Sequence, residues 1–149
     1  MSSYYEFSIS MTVWHPSIDP AVITSNLGRA PRLATKAGDQ LHRYAADDEH
    51  NTVARHAKLT TWCSYLHPER RLQSPDVDPQ ELLSDFLTAC SDTQKSFLRE
   101  LSQDGWVSIC IHVFTVGGNA AVCLNPDVVL RCAEYGVEVC CDFYSTPQR

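Results

Sequence analysis

Apolar and polar residues alternate in two long segments of the chain. In residues 5–13 the odd positions are bulky and apolar and the even positions are polar, and residues 107–113 repeat this alternation. A period of two places every second side chain on the same face, which predicts strands with one buried and one open face. Shorter strands are predicted at residues 33–36, 59–66, 120–124 and 137–143. The sequence Gly117-Gly118-Asn119 predicts a hairpin turn before the strand at 120–124.

Helix starts are marked by Asp or Asn followed by Pro. The pair occurs at Asp19-Pro20, Asp78-Pro79 and Asn125-Pro126, and apolar residues at helical spacing follow each of them. The Asp or Asn side chain can accept from the free N–H groups of the first turn, and Pro suits the first helical position. A second apolar stripe follows Ser91-Asp92, so the leucine-rich region after Asp78 is predicted to be two consecutive helices or one kinked helix.

These elements predict the order β-α-β-β-α-β-β-α-β in a single α+β domain that spans residues 1–149. We expect a mainly antiparallel sheet with helices packed on one face, in a ferredoxin-like or doubled ferredoxin-like arrangement. The other face is open and carries the polar alternate positions, which makes it a candidate binding surface. These positions are Glu6, Ser8, Ser10, Ser108, His112, Glu138 and Asp142.

The charge of the chain is unevenly distributed. The net charge is -6; residues 1–71 hold eight Lys or Arg and seven Asp or Glu, whereas residues 72–149 hold four and eleven. This balance argues against general nucleic-acid binding, which needs cations to neutralise phosphates, and favours a basic protein partner. The start of the chain does not resemble an export signal, and no apolar run is long enough for a membrane span. The expected location is therefore the cytoplasm, with no membrane partner.

Motifs for catalysis or cofactor binding are not found. The seven cysteines include no Cys-x-x-Cys pair and are expected to be reduced structural residues. A zinc set of His50, His56, Cys63 and His67 has unsuitable spacing, so no metal site is predicted. There is neither a Gly-x-Ser-x-Gly sequence nor a phosphate-binding glycine loop with its lysine. We therefore predict no catalytic residue and no cofactor, and favour a protein that is not an enzyme.

One group of motifs resembles a known family. The segment from Trp14 to Pro20, the sequence Lys36-Ala37-Gly38-Asp39 and Trp62 in the third strand resemble a bacterial domain-of-unknown-function family, DUF four-two-seven-nine. The layout of helices and strands is similar to this family over nearly the whole chain, although residues 45–57 form a longer and more polar stretch. The resemblance implies a fold but no activity.

Two functional hypotheses follow. The first is a non-enzymatic binding protein, by analogy an immunity-like inhibitor of a bacterial toxin, whose acidic residues contact a basic partner. Its candidate partner-binding residues are Asp47, Asp48, Glu49, Glu138 and Asp142. The alternative is a small-molecule-binding domain or an uncharacterised enzyme with a site at the family-motif positions. These positions are His15, Asp19, Gly38, Asp39 and Trp62.

Overall fold

The centre of the fold is a pair of eleven-residue strands, β1 (Tyr5–His15) and β7 (Trp106–Val116), which pair antiparallel. The computed structural model describes residues 4–41 and 55–147. The other strands within these residues are β2 (Leu33–Thr35), β3 (Gln40–Leu41), β4 (Arg55–His56), β5 (Thr60–Tyr65), β6 (Leu72–Ser74) and β8 (Val137–Thr146). The helices are α1 (Pro20–Leu27), α2 (Pro79–Ala89), α3 (Asp92–Asp104) and α4 (Pro126–Glu134).

The main sheet has the strand order β2-β5-β1-β7-β8, and β6 pairs with the start of β1. All of these pairs are antiparallel except β7 with β8, which are parallel. The strands β3 and β4 form a separate two-stranded sheet. The predicted α+β class is thus confirmed: helices pack on an open, mainly antiparallel sheet, consistent with a ferredoxin-like arrangement.

The predicted hairpin after β7 is wrong. Residues 120–124 form no strand, and the chain instead continues through α4 to β8, which lies parallel to β7. Parallel neighbours need a crossover connection, and α4 lies within it. The apolar residues of this stretch, Ala120, Val122 and Leu124, pack against the core without strand pairing.

The helix starts follow the predicted capping chemistry. The side chain of Asp19 accepts a hydrogen bond from the Ala21 N–H, and the side chain of Asp78 accepts one from the Gln80 N–H, both at 2.9 Å. Asn125 Oδ1 accepts from the Val128 N–H at 3.0 Å. The leucine-rich region consists of two helices because Ser91 and Gln94 form a reciprocal capping box that starts α3.

The core lies between the helices and one face of the sheet. Odd-numbered residues of β1 and β7 supply its floor, and α2, α3 and α4 contribute the buried residues Leu83, Leu87, Leu98, Leu101 and Val128. The alternation in the sequence therefore identified the covered face correctly. Among the described residues, no helix is both long and apolar enough to cross a membrane.

Candidate functional site

The family-motif residues near α1 are held by hydrogen bonds to one another and to the backbone. His15 Nδ1 accepts from the N–H groups of Ser17 and Ile18 at 3.1 and 2.9 Å, which fixes the turn between β1 and α1. Asp19 caps α1, and its other carboxylate oxygen lies 3.2 Å from Lys36 Nζ. The Ala21 N–H and then Lys36 lower the pKa of Asp19 below its usual range, because both favour the charged form.

The remaining motif positions extend this network across the sheet edge. Asp39 accepts from the Lys36 N–H at 2.8 Å, and Gly38, with a φ of 91°, donates to the Ala57 carbonyl. The Trp62 indole N–H donates to Thr24 Oγ1 at 3.0 Å, and the side chain of Trp62 is fully buried. The structure thus brings the predicted positions into one region, where their polar groups bind each other and Trp62 offers no accessible surface.

Thr60 is part of the same region and was missed by the sequence analysis. Its hydroxyl donates to the Ile18 carbonyl at 2.6 Å and accepts from the Ala37 N–H at 3.0 Å. It therefore links the segment before α1 to the segment after β2. A threonine in a strand gives no sequence signal for such a contact, because β-branched residues are common in strands for other reasons.

The predicted partner-binding residues lie in two places. Asp47, Asp48 and Glu49 are outside the described residues. Glu138 and Asp142 are exposed on β8 and lie on the open face of the sheet. Glu138 accepts a hydrogen bond from the Trp106 indole N–H at 2.8 Å.

The centre of the open face is polar but not exposed. The sequence predicts a solvated face, yet Ser8, Ser10 and Ser108 are only 6%, 4% and 4% exposed, and Cys110 is 9% exposed. Ser10 contacts His112 and Ser108 contacts Cys140, so neighbouring side chains on the same face cover these small residues. Alternation reports which face a residue occupies and does not report its depth on that face.

A cluster of three chemically reactive side chains lies on this face. Cys110 and His112 are two residues apart on β7, and Asp142 is directly opposite His112 on the parallel strand β8. The Cys110 thiol donates to Asp142 Oδ2 at 3.4 Å, and His112 Nδ1 lies 3.6 Å from the same oxygen. Cys110 Sγ and His112 Nδ1 are 3.8 Å apart. We call Cys110, His112 and Asp142 the β7–β8 cluster.

The surroundings of the β7–β8 cluster keep the thiol protonated. Burial raises the pKa of Cys110 well above its usual range, and the neighbouring Cys140 and Asp142 add to the effect. Burial also lowers the pKa of His112, against an opposing effect of Asp142. Cys110 and Asp142 both face Nδ1 of His112, so the imidazole does not bridge them as it would in a nucleophilic triad. The arrangement is therefore unsuited to an activated cysteine, although its three donor atoms, within 4.8 Å of one another, suit a metal ligand set.

The negative charge of the chain is concentrated in the segment that contains α2, α3 and α4. Residues 75–136 contain nine Asp or Glu and three Lys or Arg, an excess equal to the net charge of the whole chain. All nine acidic residues are exposed. They are Asp76, Asp78, Glu81, Asp85, Asp92, Glu100, Asp104, Asp127 and Glu134, and we call them the acidic helical surface.

The three cations of this region already have partners within or between α2, α3 and α4. Arg131 donates to Ser84 Oγ at 3.1 Å and Thr88 Oγ1 at 2.8 Å, and Arg99 donates to the Glu134 carbonyl at 2.8 Å. Lys95 Nζ lies 4.0 Å from Asp92. Within the part of the chain that the structure describes, most carboxylates of the acidic helical surface thus face solvent without a neutralising cation. The sequence analysis had named none of them as partner-binding residues.

Arginines lie instead at the edge of the sheet. Arg32 and Arg70 are placed over the Tyr65 ring, at 5.1 and 5.7 Å from its centroid, and Arg29 donates to the Tyr65 carbonyl. Together with His67 they line a cleft of about 360 Å³. The molecule is therefore polarised, with carboxylates on the helices and guanidinium groups at one sheet edge.

Fold and surfaces together define a small α+β protein with an acidic helical side and a partly buried polar sheet face. No protein-family model, curated protein or solved structure matches the chain. Membership of the family DUF four-two-seven-nine stays a prediction from the sequence motif.

Proposed function

We propose that this chain is a non-enzymatic cytoplasmic binding protein that recognises a basic protein through its acidic helical surface. The observation that supports the proposal is the position of the charge: nine exposed carboxylates and three already paired cations lie in residues 75–136, the segment that contains α2, α3 and α4. In its more specific form, the protein is an immunity-like inhibitor that occupies a basic bacterial toxin.

Such a surface acts mainly on the rate and selectivity of association. An isolated exposed ion pair contributes only about 0–1 kcal/mol, but a field from many like charges steers an oppositely charged partner and repels acidic ones. Affinity also needs apolar anchors within the charged rim. Leu130 and Val129 on α4 are 63% and 48% exposed, between Asp127 and Glu134 of the same helix, and are suited to this role.

The first test is purification of the tagged full chain from its host at low and moderate salt, with mass spectrometry of co-eluting proteins. We expect a basic protein in stoichiometric amount whose retention falls as salt rises, because screening weakens interactions between exposed charges. Retention of only acidic proteins, or capture that is insensitive to salt, would contradict the proposal.

Charge reversal locates the binding surface. Asp85→Lys on α2 and Glu100→Lys on α3 should each weaken capture and reduce its salt dependence. Glu69→Lys changes the net charge by the same amount at an exposed residue after β5 and serves as the matched control. The melting temperatures of all three variants should match that of the unaltered chain. If Glu69→Lys weakens capture as much as the helical variants do, the acidic helical surface is not the binding site.

A further inference from the structure

The distances within the β7–β8 cluster are those of a metal ligand set. In a tetrahedral zinc site the bonds to sulfur, nitrogen and oxygen are about 2.3, 2.05 and 2.1 Å, which places the donor atoms about 3.4–3.6 Å from one another. The three separations in the cluster are 3.4 Å from Cys110 Sγ to Asp142 Oδ2, 3.6 Å from His112 Nδ1 to the same oxygen and 3.8 Å from Sγ to Nδ1. One ion can therefore contact all three atoms with little movement.

The orientation of the imidazole fits the same role. His112 Nε2 lies 3.3 Å from Ser10 Oγ on β1. An Nε2–H that donates to this hydroxyl leaves the lone pair of Nδ1 directed at Cys110 and Asp142. Metal-binding histidines commonly use their second nitrogen in this way, because the hydrogen bond fixes both the tautomer and the ring.

Donor chemistry decides which ion is suitable. Thiolate, imidazole and carboxylate together favour zinc and similar borderline-soft divalent ions, whereas calcium and magnesium favour oxygen ligands. The three ligands lie on paired strands rather than on a loop, two on the central strand β7 and one on the edge strand β8. Asp142 is half exposed, which gives an ion access from solvent.

From these observations we infer that Cys110, His112 and Asp142 bind one zinc-class divalent cation on the open face of the sheet. Three protein ligands leave a fourth position of a tetrahedral ion for a water molecule or another ligand. On binding, the Cys110 thiol releases its proton to solvent and sulfur donates as the thiolate, while the carboxylate and the neutral imidazole donate as they are. This site is separate from the acidic helical surface, so the inference does not depend on the proposed function.

The experiment uses the full chain, stripped with a chelator and kept reduced, and titrated with Zn²⁺ and with Co²⁺ as a spectroscopic probe. We expect one equivalent to bind and the Co²⁺ complex to show a thiolate-to-metal charge-transfer band with strong tetrahedral d–d absorption. Cys110→Ser should abolish the charge-transfer band. His112→Ala and Asp142→Asn should each weaken binding by roughly tenfold or more, and Ser10→Ala by about tenfold through the imidazole.

The matched control is Cys123→Ser, which removes an exposed thiol before α4 and should leave binding unchanged. Circular dichroism of each metal-free variant verifies folding, and Asp142→Asn, at an exposed position, keeps the test valid if Cys110→Ser is unstable. Failure to bind Zn²⁺, or a charge-transfer band that persists in Cys110→Ser, would overturn the inference. So would equal affinity in the unaltered chain and the Asp142→Asn variant.

Discussion

The two faces of the central sheet are equally buried in places but differ in chemistry. On the covered face of β1, Phe7 and Met11 are fully buried beneath the helices. On the open face of the same strand, Ser8 and Ser10 are nearly as inaccessible. Burial alone therefore does not distinguish the faces: one is buried and apolar, the other buried and polar.

Because of this difference, one face of β1 mainly contributes to stability, whereas the other face positions polar groups. Apolar burial is favourable in proportion to area and is not directional, so the covered face gains stability from the apolar area that it removes from water. The open face contains small side chains with specific partners: Ser10 with His112, and Ser108 with Cys140 at 3.6 Å. Such contacts add less to stability but fix the positions of groups that can bind a ligand.

The largest difference should appear when adjacent residues of β1 are truncated. Phe7→Ala removes a fully buried ring from the covered face and should lower the free energy of unfolding by about 3–5 kcal/mol, because it leaves a cavity. Ser8→Ala on the open face removes only a hydroxyl and should cost no more than about 1 kcal/mol. Urea denaturation of both variants measures the difference. Equal losses would show that the open face contributes as much to stability as the core.

Two neighbouring threonines allow the two faces of β5 to be compared for the effect of losing side-chain hydrogen bonds. Thr60 and Thr61 are adjacent on β5 and point to opposite faces. Thr60→Val removes the buried hydroxyl and leaves the half-buried Ile18 carbonyl and Ala37 N–H without this partner, so we expect a loss of about 2 kcal/mol in the free energy of unfolding. Thr61→Val, the matched control, should change it by less than about 0.5 kcal/mol.

The Thr60 variant also tests the role of the family-motif region. If these residues mainly hold the sheet edge together, Thr60→Val lowers stability without removing any ligand-binding signal found for the chain. Loss of such a signal at unchanged stability would instead support the small-molecule site predicted around His15, Asp39 and Trp62.

Local patterns predicted most of the fold. Period-two alternation identified β1 and β7, and side-chain caps identified the starts of α1, α2 and α4. The hairpin after Gly117 failed because glycines signal a turn but not the direction in which the chain returns. Parallel pairing of β7 with β8 is a long-range property that depends on how α4 packs, and no local pattern encodes it.

The β7–β8 cluster could be predicted only in part for the same reason. Alternation placed His112 and Asp142 on the open face, but Cys110 was interpreted as a small apolar residue. What joins the three is the register, which aligns His112 with Asp142 and Cys110 with Cys140. The acidic helical surface could be predicted more fully, because the sequence shows the excess of acidic residues after residue 72. Only the fold shows that most of these residues lie on helices.

The smallest change in stability is expected for the exposed ion pair between Asp19 and Lys36 beside the sheet edge, because solvent weakens interactions between exposed charges. Asp19→Asn keeps an oxygen that caps α1 but removes the charge beside Lys36. Because the folded state lowers the pKa of Asp19 from 3.8, its charged form stabilises the protein above that pH, and the contribution is lost as the pH falls through the folded-state pKa.

The Asp19→Asn variant should therefore be slightly less stable than the unaltered chain at neutral pH, and the difference should shrink at a pH of about 3. Urea denaturation at both pH values measures it. A difference that grows on acidification would mean that protonated Asp19 is the stabilising form, contrary to its contacts with the Ala21 N–H and Lys36.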